Sequence, residues 1–477
     1  MPLPSPRDRA RRLLAGGRRA PSASPRRPAQ LVALGFLAAI AAGTLLLLLP
    51  VAATGRPASF VEALFTAASA ACVTGLVVVD TATFWSPFGQ GVILVLIQIG
   101  GFGVMTVASL LGLVLTRRLG LRSRLVAAES THAVGLGDVR RVMLGALTFT
   151  LVAETVLAVV LATRFLVTYG TGLRDAVWSG VFHSLSAFNN AGFSLYSDSL
   201  MQFVGDPWIC LPICAAVVLG GIGFPVLLEL VRLARRERVS GQRHPLLVLR
   251  RWSVHARLTV VTTAVLLVVG TVVFLTVEWA NPRTFGPLDV PEKALAAFTQ
   301  SVMPRTAGFN SVDTSALNHG SWFFTDILMF IGGGTAGTAG GVKVGTFALL
   351  AFIIWAELRG DADVTVFDRR VRSATLRSAL TVALLALALV VLATFAIAVS
   401  TSPERLPLDR VLFEVVSAFT TTGLSTGITA QLDSWHQCLL AALMFLGRLG
   451  PITLATGLAL RNRQRVYRRP ESAVLIG

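Results

Sequence analysis

The chain alternates long apolar runs with polar interruptions of two kinds. Apolar runs lie near residues 31–50, 88–115, 142–167, 208–234, 258–279, 323–357, 378–400 and 435–460. Each reaches the length of about 20 residues that a helix needs to cross a bilayer. Taken in pairs, the runs enclose an amphipathic stretch of one to four turns, such as Ser59–Cys72 or Leu408–Thr421. Such a stretch is too short to span and reads as a half-helix that enters the membrane and turns back. Between pairs, the polar segments are rich in arginine instead. The pattern predicts an all-α polytopic membrane protein built as span, half-helix, span, four times over. It has eight spanning helices, four re-entrant half-helices and both termini on one side.

The half-helices also carry a repeat. Four segments place a glycine ten residues after a phenylalanine: Phe65 to Gly75, Phe182 to Gly192, Phe298 to Gly308 and Phe413 to Gly423. The glycines are 117, 116 and 115 residues apart, so one unit recurs along nearly the whole chain, and a long regular period fixes architecture. A glycine just past a half-helix lets the chain turn through conformations closed to other residues. The C-terminal end of the half-helix bears a negative partial charge that favours a cation. Irregular backbone at membrane depth is tolerated where it is buried or lines water. Four equivalent segments in pseudo-fourfold arrangement around a central pore are what a potassium filter needs, because rings of carbonyl oxygens can replace the ion's hydration shell. Val73-Thr74-Gly75, Asn190-Ala191-Gly192, Thr306-Ala307-Gly308 and Thr421-Thr422-Gly423 are then four unequal walls of one filter, with K+ at their backbone carbonyls. Any one of these glycines could be an ordinary packing or turn residue; four in one register argue against that.

About 25 residues beyond each filter glycine a second motif follows: Gly100-GF-Gly103, Gly220-GI-Gly223, the run from Gly332 to Gly341, and Gly447-RL-Gly450. In three copies these read as small residues that let helices pack. The third copy holds Gly332, Gly333, Gly334, Gly337, Gly340 and Gly341. Each glycine costs a helix about 1 kcal/mol relative to alanine, so the second helix of the third repeat is expected to break there. The residues alone leave open whether that break is a gate or a kinked, permanently packed helix. A formal GxGxxG inside the run lacks the strand and βαβ unit of a dinucleotide site.

Charges within spans are functional candidates by default. Lys343 closes the glycine run, and Arg448 interrupts the apolar stretch Leu439–Leu460. Either cation could repel a permeating ion or hold the loop by bonding its carbonyls; Lys343 could equally snorkel to the cytoplasmic surface. Glu154 lies in the third span and would pair with one of these cations or with helix backbone. Asp80, Asp198, Asp313 and Asp433 follow the four filters. They would either concentrate cations at the outer mouth or be solvated loop charges.

Composition narrows the class. The 477 residues are 54% hydrophobic and 14% charged, with a formal net charge of +17. A mean hydropathy of +0.70 excludes an ordinary soluble domain. Segments 1–30, 117–141, 232–257, 359–377 and 461–477 hold most of the 42 Lys and Arg but fewer than half of the 25 Asp and Glu. That asymmetry places both termini in the cytoplasm. It accounts for the charge through anionic lipid, without nucleic acid. The chain then divides into a disordered Arg/Pro-rich cytoplasmic tail (1–30), repeat one (31–116), a loop and repeat two (117–234), a loop and repeat three with its broken last helix (235–358), a loop and repeat four (359–460), and a cytoplasmic tail (461–477). The run from Leu31 to Pro50 is a retained first helix rather than a signal peptide. Cys72, Cys210, Cys214 and Cys438 form no CxxC or Cys/His cluster and read as small core residues. Six scattered histidines make no catalytic constellation, so no enzyme and no covalent cofactor is expected.

The motifs VTGL (73–76), FNNAGF (188–193), RTAGFN (305–310) and TTTGLS (420–425), in that order, resemble the Trk/Ktr/HKT superfamily of potassium transporters. The resemblance covers roughly residues 31–460 and is closest to the Ktr-type pore subunit, since no extra helix pair precedes the first repeat. It implies a K+ uptake permease of the cell membrane, carrying K+ inward down the membrane potential, with Na+ left open as an activator. Gly75, where a serine in this superfamily is associated with sodium permeation, implies preference for potassium. The glycine run 332–341 would be the intramembrane loop that gates the pore, with Lys343 ending it and Arg448 acting in gating beneath the filter. A homodimer and a cytosolic ring of nucleotide-binding regulatory subunits are further implications. The rival expectation is a sodium-coupled secondary transporter of a small solute with discontinuous helices, although such proteins usually carry twofold inverted repeats.

Overall fold

A computed structural model of the chain describes residues 27–117, 136–240 and 252–460. The tail expected at 461–477 lies outside the described residues, as does most of the one at 1–30. Residues 27–30, expected to be disordered, are instead the first turn of helix α1 (Arg27–Leu47). Pro28 suits that place, because its fixed φ and missing N–H are tolerated in a helix's first turn.

Each repeat brings a short helix between longer ones. Repeat one is α1, α2 (Phe60–Ala71) and α3 (Pro87–Arg117). Repeat two is α4 (Leu136–Thr168), α5 (Leu173–Phe188), α6 (Pro207–Ile222) and α7 (Phe224–Ser240). Repeat three is α8 (Val254–Glu278), α9 (Val290–Val302), α10 (His319–Phe330) and α11 (Val344–Arg359). Repeat four is α12 (Ser373–Ser400), α13 (Leu408–Thr420) and α14 (Ser434–Leu460). A two-stranded hairpin, β1 (Thr365–Val366) with β2 (Arg369–Arg370), joins repeats three and four. The short helices α2, α5, α9 and α13 have 12, 16, 13 and 13 residues. At 1.5 Å per residue they reach about 18–24 Å, less than the ~30 Å of bilayer hydrocarbon.

Local sequence explains how the short helices start. Ser59 and Glu62 form a capping box on α2, and Asp289 with Glu292 forms one on α9. Each box satisfies backbone N–H groups that a helix start leaves open. The Arg56 guanidinium also bonds the Glu62 carboxyl and holds it down at about 2. From there the helices run into complete burial: in α2, every residue from Phe65 to Ala71 is enclosed.

Outer faces look different. Among the described residues, Leu144–Thr168, Val254–Glu278 and Ser373–Ser400 are by themselves long and apolar enough to cross a membrane. On α12, Leu384, Leu387, Val391, Leu392 and Phe395 are all exposed. A soluble monomer rarely shows so large an apolar surface.

Two second helices are broken. In repeat three, α10 ends at Phe330 and α11 begins at Val344, with a bridge between Ile331 and Val342 pinning the two ends of the intervening loop. In repeat two, α6 and α7 bend by 100° at Gly223, although the sequence over 208–234 reads as one span. The bend centres on Gly223, which has φ +101° and lies against the repeat-three loop, where an added Cβ would sit 2.4 Å from the Thr335 carbonyl oxygen. Gly223→Ala should therefore lower stability by about 1–3 kcal/mol, the scale of one strained residue. A detergent thermal melt would register it; an unchanged melting temperature would mean the bend tolerates a side chain.

Candidate functional site

The four repeated glycines, expected from the sequence to line a filter, meet in a closed ring. An added Cβ on Gly75 would lie 2.3 Å from Ala191 O and 3.1 Å from the Gly192 Cα. On Gly192 it would meet Ala307 O at 2.7 Å and the Gly308 Cα at 2.9 Å; on Gly308, Thr422 O at 2.5 Å and the Gly423 Cα at 3.2 Å. On Gly423 it would meet Thr74 O at 2.0 Å and the Gly75 Cα at 3.1 Å, which closes the circuit. Each wall touches the same two groups of the next, in the order one, two, three, four.

The backbone of each wall follows one conformation. The residue two before each glycine is left-handed: Val73 (φ 56°), Asn190 (59°), Thr306 (67°) and Thr421 (53°). The glycines are left-handed too, at 93°, 72°, 76° and 92°. A β-branched residue such as Val73 or Thr306 in that region is a true outlier. Such strain persists only where the surroundings over-determine it, and it gathers at functional sites. Between the two left-handed positions sit Thr74, Ala191, Ala307 and Thr422, all buried. Alternating the sign of φ turns successive peptide planes to one side, so backbone oxygens that would alternate along a strand can share a face.

Buried serines at the ends of the short helices secure these turns. The Gly75 N–H donates to Ser69 Oγ at 3.0 Å, and the Gly423 N–H to Ser417 Oγ at 3.0 Å. In repeat two, Ser186 Oγ donates to the Phe193 carbonyl at 2.8 Å. Repeat three has Val302 at this place. The serine six residues before the glycine is visible in three of the four motifs and could have been found from the sequence.

The glycine run of repeat three packs against all of this. Thr338 donates from its N–H to Gly220 O (3.1 Å) and from its hydroxyl to Asn190 Oδ1 (2.9 Å). Its carbonyl accepts from Arg448 Nη1, while Arg448 Nη2 reaches Gly100 O at 3.3 Å. The Gly334 N–H donates to Gly221 O (2.7 Å), and the Gly340 N–H to Thr306 Oγ1 (3.2 Å). Gly340 also lies where a Cβ would meet Thr421 Oγ1 at 2.1 Å. Gly332, Gly333 and Gly337 would likewise strike Gly340 O, Gly221 O and Gly221 O within 2.6 Å, and Gly341 is left-handed at φ +63°. The loop thus touches residues of three filter walls and, through Arg448, the second helix of repeat one.

Both sequence-identified cations turn onto this loop. Lys343 Nζ donates to Ala339 O at 2.6 Å and Gly340 O at 3.4 Å, so its head bends back rather than snorkelling away. Arg448 is 3% exposed. A third cation was missed: Arg305, in the RTAGFN motif, is 6% exposed and donates from Nη2 to Gly332 O at 3.3 Å. Its signal was present as a charge three residues before a filter glycine.

Other candidates fall elsewhere. Glu154 pairs with neither Arg448 nor Lys343: Asn189 Nδ2 donates to it at 2.9 Å and Gln98 Nε2 at 3.3 Å. Asp80 takes the Ala82 N–H and the Ser197 hydroxyl; Asp198 takes the Gln202 N–H; Asp313 caps Ser315. Asp433 faces His436 at 3.8 Å. Each of these four carboxylates thus has a local partner. Cys72, Cys210 and Cys214 are buried and Cys438 is exposed.

Comparison with known proteins identifies the family. The family model described as "TrkH: Cation transport protein" matches residues 24–466. Ktr system potassium uptake protein B of Bacillus subtilis is 38% identical over 450 residues, covering 94% of this chain and 97% of that protein. The Vibrio alginolyticus protein of the same name is 37% identical over 94% of both chains. Potassium/sodium uptake protein NtpJ of Enterococcus hirae is 33% identical, over 94% of this chain and 97% of that one. The crystal structure of the potassium transporter TrkH from Vibrio parahaemolyticus superposes with a TM-score of 0.67, covering 92% of this chain and 86% of that one at 18% identity, and so shares the fold. With nearly its whole length matched by the family and by relatives above 30% identity, this chain belongs to the TrkH family of cation transport proteins.

Proposed function

We propose that the chain is a potassium uptake permease that conducts K+ inward through a filter of backbone carbonyls. The observation that carries this is the closed ring of four glycine walls, each with the same left-handed pair of residues. Such a ring offers backbone oxygens whose geometry is held by buried hydrogen bonds, which suits exchange of an ion's hydration shell for carbonyls. The names of the relatives, potassium uptake proteins, support the choice of ion. An inside-negative potential contributes about 2.3 kcal/mol per charge per 100 mV, enough to drive tens-fold accumulation. No observation favours the sodium-coupled solute transporter.

The loop from Gly332 to Gly341 is the gate in this proposal, with Lys343 and Arg448 as its fasteners. Its support is position: the loop bonds filter residues Asn190 and Thr306 and is tied by Arg448 to repeats one and four. Eight spans in pseudo-fourfold order, cytoplasmic termini, a homodimer in the cell membrane and a cytosolic nucleotide-binding ring complete the proposal. The basic cytoplasmic segments supply a surface on which an acidic partner or anionic lipid would dock.

The test is rubidium or potassium uptake into liposomes holding the purified protein under an imposed inside-negative potential, with sodium, lithium and proline as competitors. Potassium-selective uptake is expected. Proline uptake, or no cation flux even with cytosolic partners restored, would overturn the proposal.

A further inference from the structure

Nine residues before each filter glycine stand Thr66, His183, Thr299 and Glu414, one on each short helix. In repeats two and four this residue is a buried acceptor, and it reaches the same two groups beyond the glycine. His183 is fully enclosed. Its Nδ1 lies 2.8 Å from the Ser179 carbonyl, which can only accept, so the proton belongs on Nδ1 and Nε2 is the acceptor. Nε2 then takes the Ser194 hydroxyl at 3.0 Å and the Leu195 N–H at 3.4 Å. Glu414, 1% exposed, takes the Ser425 hydroxyl and, at 3.1 Å, the Thr426 N–H; its other oxygen takes the Thr429 hydroxyl at 3.0 Å. Ser194 and Ser425 are each two residues past their glycine, and Leu195 and Thr426 three.

Repeats one and three lack the device. Thr66 Oγ1 is buried without a hydrogen-bond partner, and Thr299 Oγ1 faces Cys214 Sγ at 3.8 Å. Val77 and Asn310 occupy the places of Ser194 and Ser425. Since the ring runs one, two, three, four, the braced walls face each other across it.

We propose that His183 and Glu414 are positioning residues for ion selectivity. Each clamps the strand leaving its filter glycine to the short helix entering it, so walls two and four are held stiff while one and three are left freer. The reason is geometric: each wall is a sharp turn of strained backbone, and in walls two and four, beyond the reach of the serine six residues before the glycine, the leaving strand is tied back to its own short helix by His183 or Glu414. A side chain spanning from the position before the turn to the positions after it fixes the turn's width, and hence the spacing of the carbonyls across the ring. The proposal rests on the filter reading above.

The experiment measures K+ against Na+ selectivity of uptake in liposomes for Glu414→Ala, Ser425→Ala, Ser194→Ala and the Glu414→Ala, Ser425→Ala double variant. Thr66→Val serves as the unbraced control, and a Gly75→Ser variant as the filter control. Glu414→Ala should lower the selectivity ratio about tenfold, the scale of one buried hydrogen bond left unmade, and each serine variant roughly threefold. The double variant should fall no further than Glu414→Ala, because Glu414→Ala already removes the contact that Ser425→Ala breaks. Glu414→His, which installs the acceptor used by repeat two, should recover part of the loss. Thr66→Val should leave the ratio unchanged. Should Glu414→Ala fail to fold, the serine variants decide, since each removes one hydroxyl only. Unaltered selectivity in folded serine variants, or purely additive effects in the double variant, would overturn the brace. If Gly75→Ser is also without effect, the filter reading fails with it; if Gly75→Ser shifts selectivity, the brace alone fails.

Discussion

Gly75→Ser should admit sodium and lower the preference for potassium about tenfold, with uptake retained. Two constraints act at this residue. Its φ of +93° belongs to glycine, and an added Cβ would lie 2.3 Å from Ala191 O. A backbone oxygen of the neighbouring wall cannot swing aside as a flexible side chain can, so wall one or wall two must move. Strain of about 1–3 kcal/mol per residue is what such a position commonly holds, and 1.4 kcal/mol is a factor of ten in an equilibrium. The walls hold one another, so the displacement is passed around the ring and the fit to a dehydrated ion loosens for all four. Paired uptake of rubidium and sodium would measure it. Normal uptake with unchanged selectivity would remove Gly75 from the filter.

The same residues show what a sequence of this kind does and does not reveal. The half-helices were legible because amphipathic periodicity and capping act over a few residues: Leu408–Thr421 was expected and Leu408–Thr420 is found. Ring members were legible because glycine is the one residue that tolerates both the left-handed turn and the neighbouring backbone, so each wall leaves its mark at the same place. The break at Gly223 was not, since Gly220-GI-Gly223 and Gly100-GF-Gly103 look alike and only one lies beside Thr335. Partners of Glu154 were equally hidden, because Gln98 and Asn189 come from other helices, 56 and 35 residues away. His183 and Glu414 were passed over for a related reason. A lone polar residue on a helix face carries no sign of what will fold back onto it.

Arg448→Ala should raise potassium flux about tenfold or more. Several fastenings of the glycine loop converge on Thr338, whose three hydrogen-bonding groups go to Gly220, Asn190 and Arg448. Arg448 also bonds Gly100, so this one guanidinium ties the loop of repeat three to the second helices of repeats one and four. Removing it leaves the buried Thr338 carbonyl without that donor, at about 1–3 kcal/mol, and unties the loop from Gly100, whose carbonyl lies within helix α3; both losses weaken the closed position. It also takes a buried positive charge away from the proposed cation path. Both effects favour an open loop, so flux and not only stability should respond. Arg448→Lys should fall between, because a point charge on a flexible stem cannot make the two-armed contact of a planar guanidinium. Deleting residues 335–337 offers an independent route to the same state, since it shortens the segment that reaches Gly220 and Gly221 without touching Arg448. Greater uptake from both, in protein that elutes as a single folded species, is the outcome expected of a gate. Folded variants with reduced flux would mean that the loop and its arginine support the conducting form, and the assignment of Arg448 as a fastener of the closed state would have to be reversed.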